Sequence, residues 1–517
     1  MRTLYVSSRS CTVLLDPDGR YEAREPMNLT LNGKPLREEN RSVASVFGLE
    51  PDTEYTLGSE TASGHPEHVV FRTRKETCTL NVRDFGAQGD GEKDDTAMLQ
   101  AAILACPRGG RVLIPEGTYL TGPLFLKSHM TLEIGKGAVL ALKTDRNQFP
   151  ILPGRTPARN ADGEMLLGLW EGEERNGYAA ALTGIEITDT AVIGEGTVDG
   201  RAQEGDWWVN PKVIRGAARG NLFFLMRSSH VTVQGITFRN SPAWNLHPTM
   251  SKDLDFLNIR IEAPWDSPNT DGFDPESCTR VRLMGSRISV GDDCIAIKSG
   301  KIGIGRKYRI PCEEIEIGWC AMLDGHGGVT VGSEMAGGVR NVWAHHCYMR
   351  GNDRALRIKT RRGRGKDGVI DNILFENVRM KDIKVPLVVN ALYFCDPDGH
   401  SPWVQSRAHE AVDETTPRIG SIRFERVKAT GCQGCVAYVL GLPEQPMEEL
   451  AIRDSTFDFA EDAAGMNQPA MAEGVDPVRK RGLILKYAQR VELSGIRISG
   501  MEGPMLDLQE VQEIIQE

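Results

Sequence analysis

From about residue 230 to residue 500 the apolar residues fall into short alternating runs, most of them broken by a Gly or Asn. VTVQGITFRN starts at Val231, LDFLNIRIEA at Leu254, VRLMGSRIS at Val281 and IEIGWCAML at Ile315. The pattern returns in VRNVWAHHCYM from Val339, ILFENVRM from Ile373, IRFERVKA from Ile422 and VELSGIRISG from Val491. Alternation marks a strand that buries one face and turns the other outward. The Gly or Asn supplies a tight bend between strands. Successive units lie roughly 23 to 50 residues apart, in the range of solenoids and arrays. That spacing is too irregular for propeller blades. The pattern predicts an all-β protein whose body is a parallel β-solenoid.

The chain before the repeats divides in two. From Leu80, the segment DDTAMLQAAILAC carries apolar residues at helical spacing behind Asp94 and Asp95, either of which can accept from the free N–H groups of a first turn. The following string, GGRVLIPEGTYLTGPLFLKSHMTLEIGKGAVLAL, is a series of short strands between Gly, Pro and Ser turns. A helix followed by strands is what a solenoid needs to seal its first coil. Residues 1–76 differ, with β-prone runs such as CTVLLDPDGRYEA and VVFRTRKE. Between them, Leu49, Pro51 and Tyr55 in GLEPDTEYTLGSE resemble the tyrosine-corner region of a fibronectin type III domain. We expect a small β-sandwich over 1–76 and the solenoid over 77–517.

The formal net charge is −10, which argues against nucleic acid as the main ligand. No apolar run is long enough to span a bilayer, so no membrane partner is expected. The start, MRTLYVSSRSCTVLLDPDG, lacks the sustained apolar stretch of a secretory signal, which leads to the expectation of a cytoplasmic protein. The 11 cysteines have no metal-ligand spacing. Cys432 and Cys435 form a lone CxxC without a second pair, so reduced thiols packed as small apolar residues are expected.

Four strings could carry chemistry: Asn269-Thr270-Asp271-Gly272, Gly291-Asp292-Asp293-Cys294, Gly325-His326-Gly327 and Arg357-Ile358-Lys359. Taken singly, each is ordinary: Asp-Asp is commonly a turn or cap, and Arg-x-Lys on a strand a solvated face. Each, however, borders a strand of a different repeat. Rungs of a parallel coil stack about 4.8 Å apart, so turn residues at equivalent positions gather on one side. Asp271, Asp292 and Asp293 would then crowd together, and one pKa should rise. A neutral acid beside ionised bases is the pairing glycoside hydrolysis uses. Carboxylates one to two rungs apart would approach the ~6.5–9.5 Å separation that admits a water and favours inversion. His326 can hydrogen-bond a carboxylate. Arg357 and Lys359, alternate on one strand, suit a substrate carboxylate.

Together the strings NTDG, GDDCIAIKSG, GHGGVTVGSE and RIKT resemble the motifs of glycoside hydrolase family 28, the polygalacturonases, over about residues 80–500. GTVDGRAQEGDWW and NSPAWNLHP support the likeness. The resemblance implies a right-handed parallel β-helix of the pectin lyase-like kind. It implies an inverting hydrolase of α-1,4-galacturonosyl bonds that needs no cofactor and no metal. Position by position, Asp292 looks like the general acid and Asp271 and Asp293 like the bases, with His326 in support. Arg357, Lys359, Tyr393 in VVNALYFCDPDG and Asn269 take the substrate-binding places. The basic run RIKTRRGRGK from Arg357 would focus a field on a polyanionic sugar chain. Trp207, Trp208 and Trp244 could stack on sugars or pack within the coil. The long insertion from Thr144 to Thr183 resembles loops of bacterial exo-acting members and is expected to wall one end of the cleft near Arg357. An endo-polygalacturonase, a rhamnogalacturonan hydrolase, a Ca²⁺-dependent pectate lyase and a non-catalytic glycan-binding β-helix are the alternatives.

Overall fold

A computed structural model of the chain describes residues 1–64, 66–463 and 465–517. The alternating runs wind into a parallel β-helix whose rungs pair in register. Each rung contributes a strand to a front, a back and a side sheet. The front sheet carries Phe223–Met226, Leu246–Thr249, Ile295–Ile297, Gly327–Val331, Arg354–Lys359, Val385–Asn390 and Cys435–Leu440. The back sheet runs through Ser229–Gln234, Lys252–Leu257, Thr279–Met284, Cys312–Gly318 and Val339–His345. The side sheet runs through Thr237–Arg239, Arg260–Glu262, Arg287–Ser289, Ala321–Leu323 and Tyr348–Arg350. One residue in the left-handed region, such as Asn258 at φ 53, turns the chain between back and side sheets, which is why Asn recurs there.

Inward positions stack residue on equivalent residue. Leu246, Phe273, Ile295, Val329, Leu356, Leu387, Ala437 and Leu483 form one such column, all essentially inaccessible. Burying a large apolar side chain is worth about 1.5–3 kcal/mol. The repeated columns therefore hold the coil together and leave loop residues free for chemistry. The expected helix forms at Thr96–Ala105 and places Leu99, Ala102 and Ile103 over the first coil. Of the two candidate caps, Asp94 accepts from Thr96 N at 3.0 Å, while Asp95 turns away to accept from Gln88 N and Gly89 N.

The N-terminal strands form a three-stranded and a four-stranded antiparallel sheet ending at Arg72, and the first coil strand begins at Thr79. Cys11, Val13, Leu29, Val46 and Leu57 fill the space between the two sheets. The Tyr55 hydroxyl accepts from Glu50 N at 2.9 Å, a corner contact close to the one its motif suggests. This unit docks on the back sheet. Leu4, Leu14 and Val43 pack against Leu257, Met284 and Trp319, and Ser10 Oγ donates to Gln234 at 2.5 Å. All eleven cysteines are free thiols, and Cys432 and Cys435 are both fully buried in the coil. Among the described residues no helix is long and apolar enough to cross a membrane.

Candidate active site

The four strings meet on the outer face of the front sheet. Asp271, Asp292 and Asp293 stand on loops that run from side sheet to front sheet in adjacent rungs. Those loops are hydrogen-bonded to one another: Gly272 N donates to Asp293 O at 3.0 Å and Cys294 N to Gly327 O at 2.7 Å. Two glycines permit the approach. A Cβ on Gly272 would lie 2.5 Å from Cys294 O, and one on Gly291 2.4 Å from Ser267 O. The glycines of both motifs are therefore required by backbone proximity. Ser267 and Thr270 lock the turn with a 2.6 Å hydroxyl pair, and Thr270 Oγ1 accepts from Gly291 N at 3.2 Å.

Carboxylate oxygens of Asp271, Asp292 and Asp293 all lie within 4.8 Å of one another. This is shorter than the separation expected from the sequence. Asp292 and Asp293 are consecutive, and Asp271 is only one rung away, so nothing spaces the groups further. The separation thus does not by itself favour inversion. Asp271 and Asp293 are buried, and Asp292 is half-buried, facing the cavity.

Charge is short on one side. Asp293 accepts from Lys359 Nζ at 2.8 Å and from Arg357 Nη1 at 3.2 Å. Burial opposes its ionisation, but these two cations hold it well below the ordinary carboxylate range. Lys298 lies 3.4 Å from Glu334, 3.5 Å from Asp274 and 3.8 Å from Asp271. Four carboxyls thus share three cations, with Asp292 beside them. Burial and the neighbouring Asp292 push Asp271 up to about 8. Burial and Asp293 raise Asp292, and burial with Asp271 raises Asp274 well above the usual range. Protons are retained where cations run out. The triad is the group with metal-ligand spacing among the described residues, and Arg357 and Lys359 already engage both oxygens of Asp293.

The other expected residues line the same cavity of about 400 Å³. His326 does bond a carboxylate, but the partner is Asp353, at 2.9 Å from Nδ1, rather than a member of the triad. That bond raises the His326 pKa, and the resulting positive charge acts to lower Asp292. Tyr393 is buried beneath the two cations, with Arg357 5.7 Å and Lys359 5.4 Å from its ring centre. Asn269 has φ 54, and its Oδ1 accepts from Arg219 at 2.7 Å, so its amide nitrogen is the group left for a ligand.

The structure corrects one expectation and decides between the alternatives left open for the tryptophans. The basic run is not a free field: Arg361 and Arg364 pair with Asp396, and Arg362 donates to both oxygens of buried Glu444 at 2.7 and 2.8 Å. Trp207 is a packing residue, fully buried against Phe149, Tyr178 and the Arg146 guanidinium. Trp208 donates to Ser241 O at 3.1 Å. Trp244 does line the cavity, with Lys298 4.5 Å from its ring centre. Sequence reasoning missed Asp274, Lys298, Glu334, Asp353 and Met471. Lys298 and Glu334 had a usable signal, since they stand in the strings GDDCIAIKSG and GHGGVTVGSE already singled out.

The insertion from Thr144 to Thr183 crosses the front sheet on its N-terminal side. Met165, Leu166 and Leu169 cover Phe224 and Met226. Its tip reaches the opposite bank, where Lys301 N donates to Gly172 O at 2.9 Å and Tyr308 donates to Glu164 at 3.0 Å. A side chain on Gly172 (φ 73) would strike Glu334 and Lys301 N within 2.8 Å, so only glycine lets this tip close. Trp170 lies 6.4 Å from Trp244, and Glu171 lines the catalytic cavity. The crossing meets the site at Glu334 and Trp244 and not, as expected, beside Arg357.

Residues 129–459 match the family Glycosyl hydrolases family 28, and residues 79–151 match Rhamnogalacturonase A/epimerase, pectate lyase-like. A "Probable polygalacturonase" of Vitis vinifera is 31% identical over 405 residues, covering 76% of this chain and 77% of that protein. The crystal structure of a hyperthermoactive exopolygalacturonase from Thermotoga maritima aligns with TM-score 0.64 at 26% identity, over 82% of this chain and 92% of that one. A Yersinia enterocolitica family 28 exopolygalacturonase shares the fold, with TM-score 0.70 at 17% identity over 98% and 97% of the two chains.

Proposed function

The chain belongs to glycosyl hydrolases family 28, and from that premise we propose that it is an exo-acting galacturonosidase that cleaves α-1,4 bonds of pectin-derived galacturonides with water. The observation that carries this is the triad: one carboxyl held ionised by Arg357 and Lys359 within 4.8 Å of two whose pKa values are raised. Asp292 faces the cavity and serves as the general acid to the leaving oxygen. The ionised Asp293 accepts a proton from the attacking water, and Asp271 hydrogen-bonds that water and orients it. Arg357 and Lys359 reach the sugar carboxylate from the same positions that hold Asp293, and Tyr393 supports them from below. His326, held cationic by Asp353, adds positive charge beside Asp292.

The crossing by residues 144–183 supports the exo mode. It ends the groove close to the triad and places Glu171 and Trp170 where a terminal sugar would stop. A site that hydrogen-bonds an end group rejects chains that continue through it. The configuration outcome is inverting in this reading. Proton NMR of a tetragalacturonate digest tests all three parts. We expect β-configured new reducing ends, small products released from one end, and unchanged turnover with a chelator. Unsaturated products that require Ca²⁺ would move the chain to the lyases. A ladder of mid-sized products would leave hydrolysis and remove the exo mode. We also infer a reducing, cytoplasmic setting, supported by eleven unpaired cysteines. Fractionation that finds the chain in the periplasm or medium would contradict it.

A further inference from the structure

The groove is crossed a second time, on the far side of the triad. Residues 465–480 pass over the front sheet between the side-sheet strand Thr456–Phe459 and the strand Arg481–Ser494. On the way Gln468 and Pro469 accept from Arg354 through their carbonyls, the latter at 3.4 Å. Met471 then lies directly on the substrate-binding strand. Arg357 Nη2 approaches its sulfur at 3.1 Å, and Asn390 Nδ2 donates to its carbonyl at 3.0 Å. The tip is fastened to the opposite bank at Glu473. Its carboxylate meets His400 Nδ1 at 2.7 Å, its N–H donates to Gln405 at 2.9 Å and its carbonyl accepts from Arg407 at 2.6 Å.

The floor beneath has a matching composition. One outward column of the front sheet reads Phe224, His247, Asp274, Ala296, Thr330, Arg357, Val388, Tyr438 and Ile484. It turns apolar at Val388, Tyr438 and Ile484, all nearly inaccessible, where Ala470, Ala472 and Val475 join the same buried cluster. At the other end Phe224 is covered by the 144–183 crossing. Sugar binding wants polar groups and water-facing aromatic faces. Here the column is apolar and roofed at both ends, and polar or small over the stretch between His247 and Arg357. Four rung spacings of about 4.8 Å make that stretch roughly 19 Å long. The cavity over the triad, about 400 Å³, adjoins a second of about 890 Å³, with Glu171, Lys212, Cys395 and Asp396 lining both. These volumes suit a ligand of a few rings rather than a polymer.

We propose that the two crossings together make this a site for short galacturonides, of two or three units, and that residues 465–480 exclude long pectic chains from the Arg357 side. The proposal rests on the hydrolase reading above. A wall on one side leaves a polymer end free to enter from the other; walls on both sides do not. The test is kcat/KM against di-, tri- and polygalacturonate, counted per chain end. Trigalacturonate should exceed the polymer by about tenfold or more, the scale of discrimination a shaped pocket supplies. Met471→Ala and Glu473→Ala, which loosen the crossing, should narrow that ratio. Should either variant fail to fold, the catalytically silenced Asp292→Asn gives a second measure. By calorimetry it should bind trigalacturonate and bind decagalacturonate at least tenfold more weakly. Polymer ends cut as fast as the trimer, or decamer bound as tightly, would overturn the proposal while leaving the hydrolase reading standing. Absence of turnover on every galacturonide would overturn both.

Discussion

Two clusters of charge sit within a few residues of each other on the front-sheet strand Arg354–Lys359 and its following loop, and they behave in opposite ways. Arg361, Arg362 and Arg364 are fully matched: Arg362 donates to both oxygens of Glu444 and to the carbonyls of Trp403, Val404 and Ser406. Around Arg357, Lys359 and Lys298 stand four carboxyls, with Asp292 a fifth beside them, and the pKa values of Asp271, Asp274 and Asp292 are raised. The matched cluster has no proton to give and no charge left for a ligand. The mismatched cluster stores a proton beside a fixed anion. The difference teaches that basic residues near a site are identified by what they leave unpaired, not by their density in sequence.

The comparison breaks most visibly at Asp292. Asp292→Asn should cut kcat on galacturonides by about 10²–10⁴-fold, the usual contribution of a positioned acid, with the thermal unfolding curve intact. The opposite pattern is expected in the matched cluster. Arg362→Ala should cost about 3–5 kcal/mol of stability, because Glu444 is left buried and unpaired. Its activity per folded molecule should stay near the parent's, as denaturant titration beside active-site titration would show. A large loss of kcat in that variant would place Arg362 in the site after all.

Lys359→Ala should lower kcat/KM on galacturonide by about 10–100-fold, in line with a charge-assisted hydrogen bond, and less on a neutral galactoside. The same change removes a cation from Asp293, so its pKa should rise and the acid limb of the pH–rate profile should move to higher pH. Equal losses on charged and neutral substrates would count against a carboxylate ligand. On the alkaline side the retained proton sets the limit. Burial and Asp293 raise the pKa of the acid Asp292, so activity should fall as pH rises through that raised pKa and the acid loses its proton.

The smallest effect is on stability. The folded chain holds the Asp271 proton between the ordinary carboxylate range and about 8, and the unfolded chain does not. Stability therefore falls as pH rises through that window. Asp271→Asn cannot ionise and should melt a few degrees higher than the parent at pH 8, with the gap closing toward pH 4. An equal or lower melting point at pH 8 would mean the triad is not strained by its charge.

Much of this was legible in the sequence, because a coil repeats its solution. Alternation from Val231 to Val491 gives the strands, and residues at equivalent ends of rungs must become neighbours. Asp271, Asp292, Asp293, Arg357, Lys359, Tyr393 and Asn269 accordingly meet in one cavity. What escaped depends on loops, where no repeat constrains the path. Met471 against Arg357 and Glu444 beneath Arg362 join positions far apart in sequence, and neither belongs to a strand pattern, whereas Asp353 lies one rung beyond His326 and in register with it. The separation within the triad was overestimated for a different reason: counting in rungs ignores that consecutive Asp292 and Asp293 can both turn toward Asp271.

The roles inside the triad are the centre of this account, because the pKa of Asp271 is raised as well as that of the assigned acid. The most direct measurement compares Asp292→Asn and Asp271→Asn on trigalacturonate and on 4-nitrophenyl galacturonide, whose leaving group departs without protonation. Asp292→Asn should be nearly inactive on the first substrate and recover much of the parent's rate on the second, whereas Asp271→Asn should be impaired on both. Recovery in Asp271→Asn instead, or no recovery in either, would contradict the assignment of Asp292 as the acid.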